Sequence, residues 1–183
     1  MGEGALLLKE QGRGEGLSNQ EIVRRYQRRI YSVIHRMVGG RGDVEDLCQE
    51  TFLQILKNPG GFHGARDQDA WVYRIAMNVA VDFLRRKSRD RGLGDNAAGR
   101  EHVQKPPVPG SESESPVVRA LDQLEPHLKQ VIVLRIFEGL RHEQISAVLD
   151  APVGTVRWRL FEARRKLVEI LGPYLKEMQE GSL

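Results

Sequence analysis

Apolar residues recur along most of this chain at steps of three and four, the spacing of helices with one buried face. Ser18-Asn19-Gln20-Glu21 has the S-x-x-E form of a capping box, in which the two side chains satisfy free amides at a helix start. Behind it Ile22, Tyr26, Ile30, Val33, Ile34 and Met37 predict a helix that Gly39-Gly40 ends. Val44, Leu47, Cys48, Phe52, Ile55 and Leu56 predict a second helix from Asp43 to about Leu56, broken by Asn58-Pro59-Gly60-Gly61. Trp71, Val72, Ile75, Val79 and Phe83 are the apolar stripe of a third, from about Gln68 to Lys87. No strand pattern and no internal repeat appears.

The periodicity then stops. From Asp90 to Pro116 there are four Gly, four Pro and three Ser, with few large apolar residues. A stretch of that composition is too long for a turn and reads as a flexible linker. Helical spacing resumes over 117–124, 126–138, 142–149 and 153–171. The chain is therefore predicted to be all-α: a helical domain over 1–91, a linker over 92–116 and a second helical domain over 117–183. Two such domains on a tether are expected to tumble semi-independently. Within 1–17, five glycines surround the patch Ala5 to Leu8, which leaves room for one short helix at most.

Composition narrows the function. Of 183 residues, 40% are hydrophobic and 29% charged, as in an ordinary globular protein. The net charge is only +3, but the charges are unevenly placed. With one cysteine, Cys48, neither an intrachain disulfide nor a cysteine-rich zinc site is possible. Cys48 lies on an apolar helix stripe and reads as a core residue rather than a redox sensor. No apolar run reaches the roughly 18 residues of a membrane span, and no secretory signal is visible, so the expected compartment is the cytoplasm. There is no phosphate-binding glycine loop, no H-E-x-x-H and no acid, base or metal constellation. Neither an enzyme nor a cofactor is expected.

The most informative stretch is the last helix. At 100° per residue, Val153, Val156, Leu160, Ala163, Leu167 and Ile170 share one face. Trp158, Phe161, Glu162 and Arg165 fall opposite, with Arg157 and Arg159 on the flanks. A shorter helix, His142 to Leu149, precedes it across Asp150-Ala151-Pro152. Short helix, three-residue connection and basic helix make a helix-turn-helix signature. Amides near Gly154 and Thr155 suit a phosphate, and arginines on the outer face suit guanine edges and the DNA backbone. A solvated basic helix on a small bundle is the alternative. Two outward aromatics argue against it, because they are left uncovered unless something binds there.

At this point the residues resemble a known family. GLRHEQISAVLDAPVGTVRWRLFEARRKL is similar to region 4 of the extracytoplasmic-function (group 4) sigma factors of bacterial RNA polymerase. DVEDLCQETFLQILKN resembles region 2.1–2.2, with its D-x-x-Q-E-x-F hallmark. AWVYRIAMNVAVDFLRRKSR resembles regions 2.3–2.4, with W-x-Y-R-I-A-x-N. The resemblance implies a promoter-specificity subunit without catalysis of its own. It places Asp46, Gln49 and Glu50 on the clamp helices of the polymerase β′ subunit, and region 4 on the β flap. It implies that Phe62 and His63, in the loop after the second helix, with Trp71 and Asn78, lie near the extruded bases of the −10 element. Arg85, Arg86 and Arg89 would face phosphates. The alternative for Phe62 is that it only closes the domain core, and Trp71, mid-stripe, reads mainly as a core residue. In region 4 it brings Gly154, Thr155, Arg157, Trp158, Phe161 and Glu162 to the −35 duplex. Arg159, Arg164 and Arg165 would be phosphate or packing contacts. Glu112 and Glu114 in the linker either mimic RNA charge near the exit path or belong to a plain spacer. The family also implies a cognate anti-sigma factor. A stand-alone helix-turn-helix regulator is the competing reading, disfavoured by the D-x-x-Q-E motif.

Three positions depart from the family pattern. Arg141 stands where Ser usually caps the first helix of the motif, and losing such a cap costs about 0.5–2 kcal/mol. Trp158 stands where a small residue is common, and Glu162 where Arg is common. Both lie on the reading face, which predicts an unusual −35 sequence. Substituting Trp158→Ser together with Glu162→Arg should shift the preferred −35 sequence in a selection from random duplexes; an unchanged preference would count against this.

Overall fold

A computed structural model describes residues 17–39, 44–94 and 115–180; the N-terminal patch, the start of the second helix at Asp43 and most of the linker, with Glu112 and Glu114, lie outside the described residues. All regular elements described are helical: α1 (Asn19–Val38), α2 (Val44–Lys57), α3 (Pro59–Gly64), α4 (Gln68–Gly94), α5 (Pro116–Asp122), α6 (Pro126–Ile132), α7 (His142–Leu149) and α8 (Val153–Glu180).

The predicted capping box is in place. The Ser18 amide donates to Glu21 Oε2 at 2.8 Å and the Glu21 amide donates to Ser18 Oγ at 3.4 Å. These bonds hold the Glu21 carboxyl below its usual range. Helices α1, α2 and α4 pack together around Tyr26, Ile30, Ile34, Ile55, Val72 and Met77. The break after α2 is not a loop. Asn58 accepts from the Gly61 amide at 2.9 Å, Pro59 occupies the first turn, and the chain makes the short helix α3. Proline is well suited there, since its missing N–H is one of the first-turn donors that lack a partner anyway. The short helix delivers Phe62 into the core, where its ring meets Tyr26 at 6.1 Å and Trp71 at 6.0 Å, edge to face.

Three other boundaries differ from the sequence expectation. Helix α4 runs past Lys87 to Gly94. The predicted helix over 126–138 changes to π geometry over Val133–Phe137, closed by bonds from Glu138 N to Val133 O and Leu140 N to Leu134 O. Gly139 follows at φ +69°, a conformation that favours glycine. Helix α8 continues through Pro173 to Glu180.

The largest difference is between the two halves, which are packed on each other. Helix α4 contacts α7 and α6, and the C-terminal part of α1 contacts α5 and the π turn. Glu138 anchors this seam, accepting from the Tyr73 hydroxyl at 2.6 Å and the Ser32 hydroxyl at 3.1 Å. Burial first, then the Glu138 carboxylate, pushes the Tyr73 hydroxyl up well above its ordinary pKa. Arg36 bonds Ser32 Oγ and stacks its guanidinium 4.3 Å from the Phe137 ring centre. Arg74 donates to the Ala147 carbonyl. Gly39 is required at this junction: at φ +59°, a Cβ there would lie 2.7 Å from Asp122 Oδ2, and Asp122 is itself held by the buried Lys129 at 2.6 Å.

Asp69 ties α4 to α1. It accepts from the Tyr26 hydroxyl at 2.7 Å and from Arg29 at 2.8 Å. Burial opposes its ionisation, but these hydrogen bonds outweigh that, and its carboxyl sits below the ordinary range. Asp69→Ala leaves the buried Tyr26 hydroxyl without its acceptor and should cost about 1–3 kcal/mol, read as a lower urea midpoint. Because the folded pKa is depressed, the ionic share of this contribution is present above the unfolded value near ~3.9. It is lost as pH falls through the folded value, so wild type and variant should converge in acid.

Candidate nucleic-acid interface

The turn before α8 is built by the residues the sequence singled out. Asp150 adopts a left-handed φ of 49°, and Ser146 Oγ donates to the Ala151 carbonyl at 2.6 Å. The Val156 amide donates to Pro152 O at 3.1 Å, which fixes the first turn of α8. Amides of Gly154 and Thr155 lie in that turn, where helix donors lack intrahelical acceptors. Gly154 is exposed, with open space around its would-be Cβ. Arg141 supplies no cap to α7, but Gln144 Oε1 accepts from the Arg141 amide at 3.0 Å, so one arm of a capping box survives the loss of Ser.

Val156, Leu160 and Ala163 are buried against the body of the second half. Trp158 and Phe161 are 58% and 67% exposed, as predicted. Arg157 and Arg164 are exposed and Arg159 is half-buried; among the described residues no carboxylate pairs with any of the three. Arg165 differs. Its Nε and Nη2 reach Glu162 at 3.0 and 2.5 Å, and its Nη1 reaches Glu169 at 2.5 Å. The bonds from Arg165 are the main reason the Glu162 carboxyl lies below its usual range. Lys166 is likewise committed, to Glu125 at 3.0 Å.

In the first half, Trp71, Asn78, Arg85 and Arg89 fall at steps of seven, seven and four along α4, which lines them up on one stripe about 27 Å long. Asn78, Arg85, Arg86 and Arg89 are exposed, and Trp71 is half-buried under Phe62. Arg85 pairs with Asp82 at 3.6 Å and Arg86 with Glu50 at 3.9 Å, both exposed pairs that bind weakly. His63 is exposed beside the stripe's N-terminal end, its ring 5.1 Å from that of Phe62. Phe62 requires a correction. It is fully buried, because α3 replaces the expected loop and turns the ring inward, so it closes the core instead of offering a surface to a base.

Asp46 and Gln49 are exposed on α2 and Glu50 is half-exposed. One turn on, the same face carries Leu53, 56% exposed, which sequence reasoning missed although its i+7 spacing from Asp46 was there to read. Cys48, on the far side of α2, is half-buried. Burial, with Glu45 nearby, pushes its thiol up to about 11. Among the described residues there is no cluster that would hold a metal ion, and no helix is long and apolar enough to cross a membrane.

Comparison with known proteins identifies each half of the chain. Residues 22–90 match Sigma-70 region 2 and residues 115–167 match Sigma-70 region 4. The chain is 32% identical to the RNA polymerase sigma-H factor of Pseudomonas aeruginosa, over 93% of this chain and 95% of that protein. It is 33% identical to the ECF RNA polymerase sigma-E factor of Haemophilus influenzae, over 84% and 87%. Among solved structures, the sigma factor RpoE co-crystallised with the anti-sigma factor NepR from Bartonella quintana aligns with a TM-score of 0.68 at 21% identity, covering 84% of this chain and 96% of that one. CnrH, solved with the cytosolic domain of CnrY, aligns with a TM-score of 0.62 at 24% identity, covering 85% and 88%. Those two likenesses establish the shared fold. The chain belongs to the extracytoplasmic-function group of the sigma-70 family. It is an RNA polymerase sigma factor and directs promoter-specific transcription initiation.

The state of Cys48 gives a direct check on α2. Its thiolate should form near pH 11, well above the ~8.5 of a free cysteine, so modification by a thiol reagent in the native protein should stay slow at neutral pH and accelerate only in strong base.

Proposed function

We propose that the two halves divide promoter recognition, with 1–91 as the region 2 domain, 92–116 as a linker and 117–183 as the region 4 domain. On α4, Trp71, Asn78, Arg85, Arg86 and Arg89, with His63, meet the single-stranded −10 element. An aromatic can stack on a base, an amide can pair with a base edge, and a line of cations can follow the backbone. On α8, the first-turn amides of Gly154 and Thr155 take a phosphate, Arg157, Trp158, Phe161 and Glu162 face the −35 major groove, and Arg159 and Arg164 sit near the backbone. Trp158 and Phe161 suit the apolar C5-methyl of thymine. The observation that carries this reading is the pair of exposed aromatics on the outer face of a helix-turn-helix, on the same chain as the α4 stripe. Asp46, Gln49, Glu50 and Leu53 form an acidic and apolar face suited to the β′ clamp helices, and the region 4 half meets the β flap.

The packed arrangement bears on how this works. Helices α4, α7 and α8 are in successive contact. At 8–10 Å per helix contact the two reading helices lie roughly 20 Å apart. The −10 and −35 elements are separated by roughly 25 base pairs, about 85 Å of duplex at 3.4 Å per step. The seam must open before both can be read at once. The sigma factor RpoE was solved bound to the anti-sigma factor NepR, and CnrH in complex with the cytosolic domain of CnrY. A cognate anti-sigma factor fits this chain in the same way, as the agent that keeps the reading faces from promoter and polymerase. The factor carries no catalysis and acts in the cytoplasm, where RNA polymerase is.

Purified protein mixed with bacterial core polymerase and fragmented genomic DNA should yield run-off transcripts from discrete starts that share −35 and −10 elements. Asp46→Ala with Glu50→Ala should abolish core binding with the melting curve unchanged, since these residues are at the surface. Duplex binding without polymerase, and no transcripts, would instead establish a stand-alone regulator. Trp158→Ala and Phe161→Ala should each leave stability within about 0.5 kcal/mol and weaken −35 duplex binding about tenfold.

A further inference from the structure

Arg165 occupies the place on α8 where a DNA-backbone cation would be expected. At 100° per residue it projects between Trp158 and Phe161 on the outward stripe. Yet three of its five N–H donors are already used, two by Glu162 in a bidentate fork and one by Glu169. The three side chains together carry a net charge of minus one. A phosphate approaching the two remaining donors of Arg165 therefore meets two carboxylates at the same guanidinium. Exposed ion pairs are individually weak, but the sign of the local charge does not depend on their strength. Glu162 is only 20% exposed at its side chain, consistent with a carboxylate lying along the helix under the guanidinium instead of reaching outward.

We propose that Glu162 is a positioning residue that, with Glu169, holds Arg165 off the DNA backbone, so that side-chain phosphate contact by α8 is confined to Arg159 and Arg164. The inference rests on the assignment of α8 to duplex DNA. The triad lies just past Phe161 and marks where the DNA-facing part of the helix ends. It subtracts sequence-independent attraction from a face otherwise rich in cations, and leaves discrimination to Arg157, Trp158 and Phe161. The Glu162 oxygens thus serve Arg165 first and the groove only through it.

The test is the salt dependence of binding to a random-sequence 30-base-pair duplex by the full chain, where each phosphate contact contributes about 0.9 to the slope of log K against log salt. Arg164→Ala is the internal standard and should lower the slope by about 0.9, which is about a 3.5-fold affinity effect between 0.05 and 0.2 M salt. Arg165→Ala should leave the slope unchanged. Glu162→Gln with Glu169→Gln should release Arg165 and raise the slope by about 0.9, and adding Arg165→Ala to that pair should remove the gain. A fall in slope for Arg165→Ala equal to that for Arg164→Ala would overturn the proposal while leaving the DNA assignment intact. A gain in the double variant that survives Arg165→Ala would also overturn it, since the effect would then be the lost carboxylates alone. No response to Arg164→Ala would instead remove α8 from the DNA interface and take the proposal with it. All the substitutions are on the exposed face, and thermal melts check that each variant is folded.

Discussion

Helix α4 is covered from two directions, and that constraint shapes what the rest of the molecule can expose. Its Val72, Ala76, Val79 and Ala80 are buried, as are Tyr73 and Met77. α1 and α2 pack along one side and α7 and α6 along another. The coverage is tightest over residues 72–80, where Arg74 and Asn78 are the exposed positions, and it relaxes from Asp82 onward, where Arg85, Arg86, Ser88, Arg89 and Asp90 are exposed as well. A helix buried on one side alone would have had room for a broad polar face along its whole length.

Much of this was legible in the sequence, for physical reasons that differ from element to element. The capping box at Ser18 and the helix-turn-helix at 142–171 depend on interactions three to five residues apart, so local spacing suffices to find them. Phe62 was not placed correctly, because Pro59-Gly60-Gly61 reads as a break and the cap from Asn58 that turns it into a helix competes with that signal. The buried set on α4 was read too narrowly for a related reason. Tyr73 is off the main stripe, and its bond to Glu138 in the second half accounts for its burial. The Glu138 seam joins residues 65 and 106 positions apart and leaves no periodic trace. The Arg165 spacings to Glu162 and Glu169 were in plain view, but spacing alone does not say whether an arginine will turn to its neighbours or to a ligand.

The two departures on the reading face, Trp158 and Glu162, have different consequences. Trp158 adds a large apolar surface where the family tends to be small, which alters what the face can touch. Glu162 acts within the helix, where it changes the disposition of a charge already present. A net charge of +3 for the whole chain thus conceals a finer allocation. On α8, Arg157, Arg159 and Arg164 are left to the outside while Arg165 and Lys166 are tied to carboxylates.

The polar contacts between the halves are a carboxylate, two hydroxyls, two guanidiniums and the face of an aromatic ring, and beneath them the buried apolar residues of both halves join in one core. Both faces belong to one polypeptide, and tethered partners meet at an effective concentration of order millimolar. A contact with an intrinsic dissociation constant near 1 mM, about 4 kcal/mol, is then already half formed. A protein or promoter that binds at nanomolar affinity brings about 12 kcal/mol. Such a ligand can offset the separation of the halves and still bind tightly, so a contact between tethered halves can close the chain on itself and yet yield to either.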